Sequence, residues 1–371
     1  MIILAMVFSC LDPYNPPASQ VNVNYLVVEG FLNSNGLTEI QLGRTHPVKD
    51  ANPAIPETGA LVQVAGVDGS IFTLSGDNSG SYFLAAGLID STRQFQLKIK
   101  TSDQKEYTSD FVPVKNAPAI DTVRYDLTGE DLHIYLSTHD VQNKSLYYLW
   151  RFVETWKYNS RYPSEFVFNR ATTTVSARPS LYDLFFCWST AYSNKILISS
   201  SAKLAQDVIH DFPVNLLNVH SEKLQLKYSI LIEQYALTSD GYQYWQQLKK
   251  STETIGSIFD PQPSQSPTNI HCISNPDEPV VGYFSASSVQ RKRIFIKSED
   301  LPNVRRSTVY DECVNDTLLL ADVPAFDGND LLITGVYAPR GATLLGYLKA
   351  RPFCVDCRIN NGTTVMPGFW K

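Results

Sequence analysis

In this chain of 371 residues, the side chains best suited to covalent, metal or acid–base chemistry are six cysteines and six histidines. Five of the cysteines, Cys187, Cys272, Cys313, Cys354 and Cys357, lie in the second half, and Cys10 stands alone near the start. Cys354-Val-Asp-Cys357 is a C-x-x-C unit. Zinc would need a second pair of ligands at short spacing, for which His271-Cys272 is the candidate. A redox pair belongs at the start of a helix after a strand. Here Arg351-Pro352 precedes the unit and Asn360-Asn-Gly362 follows it, which points to loops. Structural disulfides are the favoured reading, ahead of zinc and redox chemistry. Five is odd, so two bonds leave one thiol over, and the connectivity is not legible from sequence.

The histidines are His46, His133, His139, His210, His220 and His271. His133 and His139 lie close, with Asp140 beside them, and a separation of six on a strand would put both on one face. A metal pair or acid–base dyad is conceivable there, against the commoner case of isolated polar histidines near loops. Asp327-Gly-Asn-Asp330 carries calcium-like oxygen ligands without the remaining spacing or a terminal Glu, so it reads as a turn. The chain contains no Gly-x-Ser-x-Gly, His-Glu-x-x-His, P-loop or Gly-x-Gly-x-x-Gly motif. No catalytic residue, metal or cofactor is expected. Lys plus Arg is 31 against 37 Asp plus Glu, a net charge of −6 with no basic stripe, which argues against a nucleic-acid partner.

Met1 to Phe8 is an apolar run closed by Ser9-Cys10. It is shorter than the roughly 20 residues that span a bilayer, and it reads as the end of a secretory h-region. A small residue before a cysteine, after aliphatic residues, resembles the bacterial lipobox, in which the cysteine is acylated and becomes residue one. No basic n-region precedes the run, and Phe8 is unusual at that position. Leu11 to Gln20 contains three prolines and little to bury, as an extended tether would. An exported chain meets an oxidising compartment, which favours disulfides among the remaining cysteines.

The elements that must position these residues read mostly as strands. With 20 Tyr and 18 Phe against 3 Met, the composition suits pleated, half-buried surfaces. Residues 25–32 and 38–42 flank the turn Asn33-Ser-Asn-Gly36, and residues 61–65 and 70–74 flank Val67-Asp-Gly69, which gives two hairpins. Phe95, Leu97 and Ile99 share one face of a strand over 94–100. Residues 25–114 are expected to form an immunoglobulin-like or prealbumin-like β-sandwich, after a signal end and tether over 1–24. Residues 115–371 are expected to form a larger β-sandwich-based domain with one or two helices. Strands there include 120–125, 132–136, 148–156, 195–199, 224–232, 280–287 and 293–297. Ser239 is the expected N-cap of a helix through about Thr252, with Tyr242, Trp245 and Leu248 on one stripe. An irregular, disulfide-linked C-terminal segment closes the chain. The fold class is therefore mainly β.

Several ordered pieces resemble one family. They are the lipobox Cys10, Leu26-Val-Val-Glu-Gly30, Phe186-Cys-Trp188, Tyr228-Ser-Ile-Leu-Ile-Glu-Gln-Tyr235 and Gly256-Ser-Ile-Phe-Asp-Pro-Gln-Pro-Ser264. Asn269-Ile-His-Cys272, Glu278-Pro-Val-Val-Gly-Tyr-Phe-Ser-Ala286, Cys354-Val-Asp-Cys-Arg358 and Pro367-Gly-Phe-Trp370 complete the set. Together, over nearly the whole chain after residue 24, they resemble the Bacteroidota lipoproteins of domain-of-unknown-function family 4249. The resemblance implies an outer-membrane lipoprotein, often encoded beside a TonB-dependent, SusC-like transporter, with no established catalytic residues.

The expected function is that of a non-enzymatic accessory subunit on an outer-membrane β-barrel, held by lipid on Cys10, more readily at the cell surface than on the periplasmic face. Alternatives are a stand-alone surface binder of glycan or peptide, using exposed members of Trp150, Trp156, Trp188, Trp245 and Trp370, and a hydrolase with an unrecognised site. The Pro-rich loop Phe259, Asp260, Pro261, Gln262, Pro263 and Ser264 is a candidate partner contact, set against a plain structural connector.

Overall fold

The computed structural model describes residues 24–45, 55–180, 183–253, 268–304, 306, 309–339 and 341–370. The first hairpin forms where the turn residues place it, between strands Leu26–Asn33 and Thr38–Arg44. Asn33 fastens it: its side-chain oxygen accepts from the Asn35 amide, and its own amide donates to Thr38 Oγ1. Gly30 has φ +133°, and a Cβ there would lie 2.3 Å from the Glu39 carbonyl, so the close pairing of the two strands requires glycine. A facing sheet is built on Leu61–Gly66, Gln94–Lys100 and Glu106–Ser109. Strand Gln94–Lys100 alternates as expected, with Phe95, Leu97 and Ile99 buried against Leu26, Ile40 and Leu42 from the other sheet.

This first sandwich takes in chain from far beyond residue 114. Ile270–Cys272 pairs antiparallel with Glu106–Ser109. Ser285–Ser287 runs parallel to Leu26–Asn33 and to Val112–Lys115, sitting between them, and Val281–Gly282 extends the same edge. Ile270, Cys272, Val280, Phe284 and Ala286 belong to its core. Glu278 ties the returning segment down, accepting from Lys105 Nζ at 2.6 Å and from the Tyr107 hydroxyl at 2.7 Å. The boundary drawn at residue 114 therefore leaves out three strands. They are two or three residues long and pair across 160 residues or more, so no local periodicity marks their partner.

The second sandwich packs a sheet of Ile120–Thr128, Asp131–His139 and Val208–Asn218 against a larger one. The larger sheet has the order Phe186–Tyr192, Tyr147–Asn159, Lys227–Ala236, Val289–Lys297, with Leu197–Ser200 beside the first half of Tyr147–Asn159. Tyr148, Trp150 and Phe152 point from one face of their strand into the core between the sheets, alongside Leu132, Ile134 and Ile230. The indole N–H of Trp150 donates to Gln234 Oε1 at 2.8 Å, and the Gln234 amide donates to the Pro118 carbonyl, so both buried polar groups are satisfied.

The helix spans Ser239–Glu253. Its N-cap is Thr238 rather than Ser239: Thr238 Oγ1 accepts from the Gly241 amide at 3.1 Å, three residues on. Tyr242 and Trp245 lie over Leu149, Ile196 and Ile198 on the outer face of the larger sheet, and over Phe31 of the first sandwich. The Arg151 guanidinium sits 5.6 Å from the Phe31 ring and 5.7 Å from that of Trp245. The aromatic stripe thus packs the helix onto the junction of the two sandwiches.

The C-terminal segment is more regular than its composition suggests. Asp316–Leu319, Leu344–Ala350 and Leu331–Tyr337 form a three-stranded antiparallel sheet, and Phe166–Asn169 with Thr174–Ala177 forms a hairpin beside it. Phe166, Phe168, Leu318, Leu332 and Tyr347 make a small core of their own. A register shift between Leu332 and Gly335 breaks the period-two pattern of Leu331–Tyr337.

Candidate functional site

The cysteines place the site. Cys187 bonds Cys357, and Cys313 bonds Cys354. The two members of the C-x-x-C unit thus take different partners, and among the described cysteines Cys272 is the unbonded thiol, buried in the first core. Cys187 points inward from its strand, so Phe186 and Trp188 on either side of it project to the opposite face. Cys357 opens the turn Cys357–Asn360 and is followed by Arg358. The disulfide therefore brings Arg358 of the C-terminal segment to the Phe186–Trp188 face of the larger sheet. Behind the bond, the buried Tyr158 hydroxyl donates toward the carbonyls of Cys357 and Asn360 at 2.8 and 2.9 Å, and burial pushes its pKa up to about 12.

In front of the bond lies an open cleft of about 620 Å³. Its floor is Lys157, Phe186 and Trp188. Lys157 stands opposite Trp188 on the neighbouring strand and carries its ammonium 4.4 Å from the centre of the Phe186 ring and 5.3 Å from that of Trp188. Partial burial lowers the pKa of Lys157, and the like charge of Lys227 adds to this. One wall is Arg178, whose Nε donates to Ser164 Oγ at 3.1 Å. The other is Arg358, held by a two-point bond to Asp356, Nε to Oδ1 at 2.9 Å and Nη2 to Oδ2 at 2.7 Å. Ser180, Asp183, Leu184 and Thr364 complete the lining. Among the described residues neither Lys157 nor Arg178 has a carboxylate partner. The same pairing of cations with rings continues along the sheet: Lys227 lies over Phe295 and Trp370, and Arg293 over Phe369. The tail is seated there, with Trp370 buried and Thr363 bridged to Trp188.

A second depression, about 520 Å³, lies on the outer face of the first sandwich, lined by Gln63, Gln96, Lys98, Lys100, Glu106 and Thr108 among others. Several of its polar groups are paired: Gln96 donates to Thr108, Lys100 pairs with Glu106, and Gln63 donates to Thr73 beside it. That is the pattern of a solvated sheet face.

The other sequence candidates do not converge. His133 and His139 do share the outward face of Asp131–His139 but have separate neighbours: His133 stacks on Tyr135, and His139 Nδ1 lies 2.7 Å from Asp121 Oδ2. Asp327 caps its own turn by accepting from Asn329, while Asp330 pairs with Lys349. No cluster of three or more potential metal ligands occurs among the described residues. Trp150, Trp188 and Trp370 are buried, and Trp156 and Trp245 half-buried. Cys10, His46 and the loop Phe259 to Ser264 lie outside the described residues. Lys157, Arg178 and Arg358 were not singled out as site residues in the sequence, because they come from three distant segments. The one available sign was the pair of Cys-bearing pieces, Phe186-Cys-Trp188 and Cys357-Arg358, which the disulfide joins.

The fold and its fastenings define a mainly β protein of two abutting sandwiches whose C-terminal segment is cross-linked to the second. The chain belongs to the family described as a domain of unknown function, DUF4249, whose model matches residues 11–293. No curated protein matches the sequence. The match stops short of Cys313, Cys354 and Cys357, so it is narrower than the resemblance drawn from the sequence pieces, and Arg358 and Thr364 of the cleft lie beyond it.

Proposed function

We propose that this chain is a bacterial cell-envelope lipoprotein, anchored through Cys10 in the outer membrane of a member of the Bacteroidota, and that it serves there as a non-enzymatic accessory subunit of a TonB-dependent, SusC-like transporter or related β-barrel. The observation that carries this reading is the disulfide pair Cys187–Cys357 and Cys313–Cys354, downstream of a lipobox-like Ser9-Cys10. Two long-range disulfides are what an exported chain retains. The family match starts at residue 11, one position past the proposed acylated cysteine. Chain that returns past the second sandwich to pair in the first, and a helix packed on the junction, join the two sandwiches into a body suited to docking on a barrel. Affinity purification of the tagged protein from native membranes, after gentle detergent extraction, should bring down a β-barrel partner. Recovery of a clean monomer would refute the accessory role.

The cleft at Lys157 favours a second reading, a surface lipoprotein that binds its ligand alone. The two readings share the anchor and part at the partner.

A further inference from the structure

The cleft in front of Cys187–Cys357 holds more positive charge than its surroundings neutralise. Arg358 is matched by Asp356, and Asp183 is the acid on the lining. Lys157 and Arg178 remain, half-buried and, among the described residues, without a carboxylate. Aromatic rings compensate Lys157 in part, since the negative face of a ring attracts a cation. Rings do not supply the acceptor oxygens that an ammonium and a guanidinium lose when water is displaced. The indole N–H of Trp188, nine-tenths buried at the cleft floor, also meets no acceptor. A volume of about 620 Å³ is far more than an inorganic anion fills and lies within the range of sites for small organic molecules. Leu184, Phe186 and Trp188 provide apolar surface beside the charges.

We propose that this cleft binds a small organic oxyanion, a carboxylate or phosphate ester carried on an apolar ring, with Lys157 and Arg178 holding the charged end and Leu184 and Phe186 contacting the ring. A planar guanidinium suits either headgroup, because both present paired oxygens to its fork. The disulfide acts as a positioning element, since it fixes Arg358 as the far wall. Binding here is independent of the barrel partner: loss of either property leaves the other to be measured.

The test is isothermal titration of the full chain at low ionic strength with four probes: 2-naphthoate, 2-naphthyl phosphate, 2-naphthalenemethanol and inorganic phosphate. One or both ring-bearing anions should bind, and the stronger identifies the headgroup. The neutral alcohol and inorganic phosphate should each bind about tenfold more weakly or worse, as expected when a charged hydrogen bond or the ring contact is missing. Lys157→Met keeps the stem over the rings and removes the charge, and Arg178→Gln removes the fork. Each should weaken the ring-bearing anion by about tenfold, while Lys98→Met, in the other depression, leaves it unchanged. Circular dichroism establishes that the variants are folded. The proposal is overturned if neither ring-bearing anion binds at millimolar concentration, if the alcohol or inorganic phosphate binds equally well, or if the folded Lys157→Met and Arg178→Gln variants both bind as the parent does.

Discussion

Removing Cys187–Cys357 by the double substitution Cys187→Ser, Cys357→Ser should be among the most damaging changes available outside the cores. The bond joins residues 170 apart. Cys313–Cys354 lies within that loop and short-circuits it, leaving a closed path of roughly 130 residues when both bonds are present. The chain entropy released by opening a loop of that length is about 5 kcal/mol at 25 °C, the upper end of the 2–5 kcal/mol that loss of a native disulfide typically costs. The loop of 41 residues closed by Cys313–Cys354 gives about 4 kcal/mol on the same footing. Local packing follows the same order. Both sulfurs of the first bond sit in fully buried residues beside Tyr158, and the adjoining chain carries the Trp188–Thr363 bridge that seats the tail. Urea unfolding followed by tryptophan fluorescence measures the loss, and the unfolding slope should rise because the unlinked chain exposes more surface. A loss of about 3–5 kcal/mol is expected, larger than that for Cys313→Ser, Cys354→Ser. A loss below about 1 kcal/mol would mean that packing alone holds the C-terminal segment, and would refute the role given to the bond.

Gly362 leaves no room for a side chain: a Cβ would lie 2.2 Å from the Tyr158 hydroxyl and 2.7 Å from Cys187 Cβ. Gly362→Ala should therefore cost about 1–3 kcal/mol in the same unfolding assay. Glu154, buried on the inner face of the second sandwich, accepts from Lys223 at 2.5 Å, Tyr228 at 2.8 Å and Asn215 at 3.0 Å. Glu154→Ala strands three donors and should destabilise by about 3 kcal/mol, measured by thermal unfolding. Burial tends to raise the pKa of Glu278, but its bonds from Lys105 and Tyr107 outweigh this and hold it below the ordinary carboxylate value. Its stabilisation is complete above the unfolded pKa and is lost as pH falls through the lower folded one. Amide exchange in Ile270–Cys272 and Ser285–Ser287 should rise in that acid window, and Glu278→Gln should abolish the step. The hydrogen bond and charge of Asp121 raise the pKa of His139. An NMR titration should place it above the ordinary histidine value in the parent chain and return it there in Asp121→Asn.

How much of this was legible in the sequence depends on how local each feature is. The hairpin at Asn33-Ser-Asn-Gly36, the alternation of Phe95, Leu97 and Ile99, and the inward face of Tyr148, Trp150 and Phe152 are set by neighbours within a few residues, and period-two patterning exposes them. The helix was legible from its stripe, although its cap lay one residue earlier, at Thr238, because threonine and serine at adjacent positions offer the same hydroxyl. The strands returning to the first sandwich were not legible as such. Ser285–Ser287 is short and polar, and its place between Leu26–Asn33 and Val112–Lys115 is fixed by tertiary pairing. The cleft follows the same rule. Lys157 reads as an ordinary outward strand residue, and Arg358 gains its position only through the bond of Cys357 to Cys187. An odd cysteine set was visible in the sequence, but the partner of each was not, because connectivity is a property of the folded chain.

Attachment through Cys10 underlies the proposed envelope role, and the intact mass of the protein extracted from its native membrane tests it most directly. A chain beginning at Cys10 and carrying a diacylglyceryl group and an amide-linked acyl chain is the expected result. An unmodified chain that retains the residues before Cys10, with a titratable Cys10 thiol in the folded state, would contradict it.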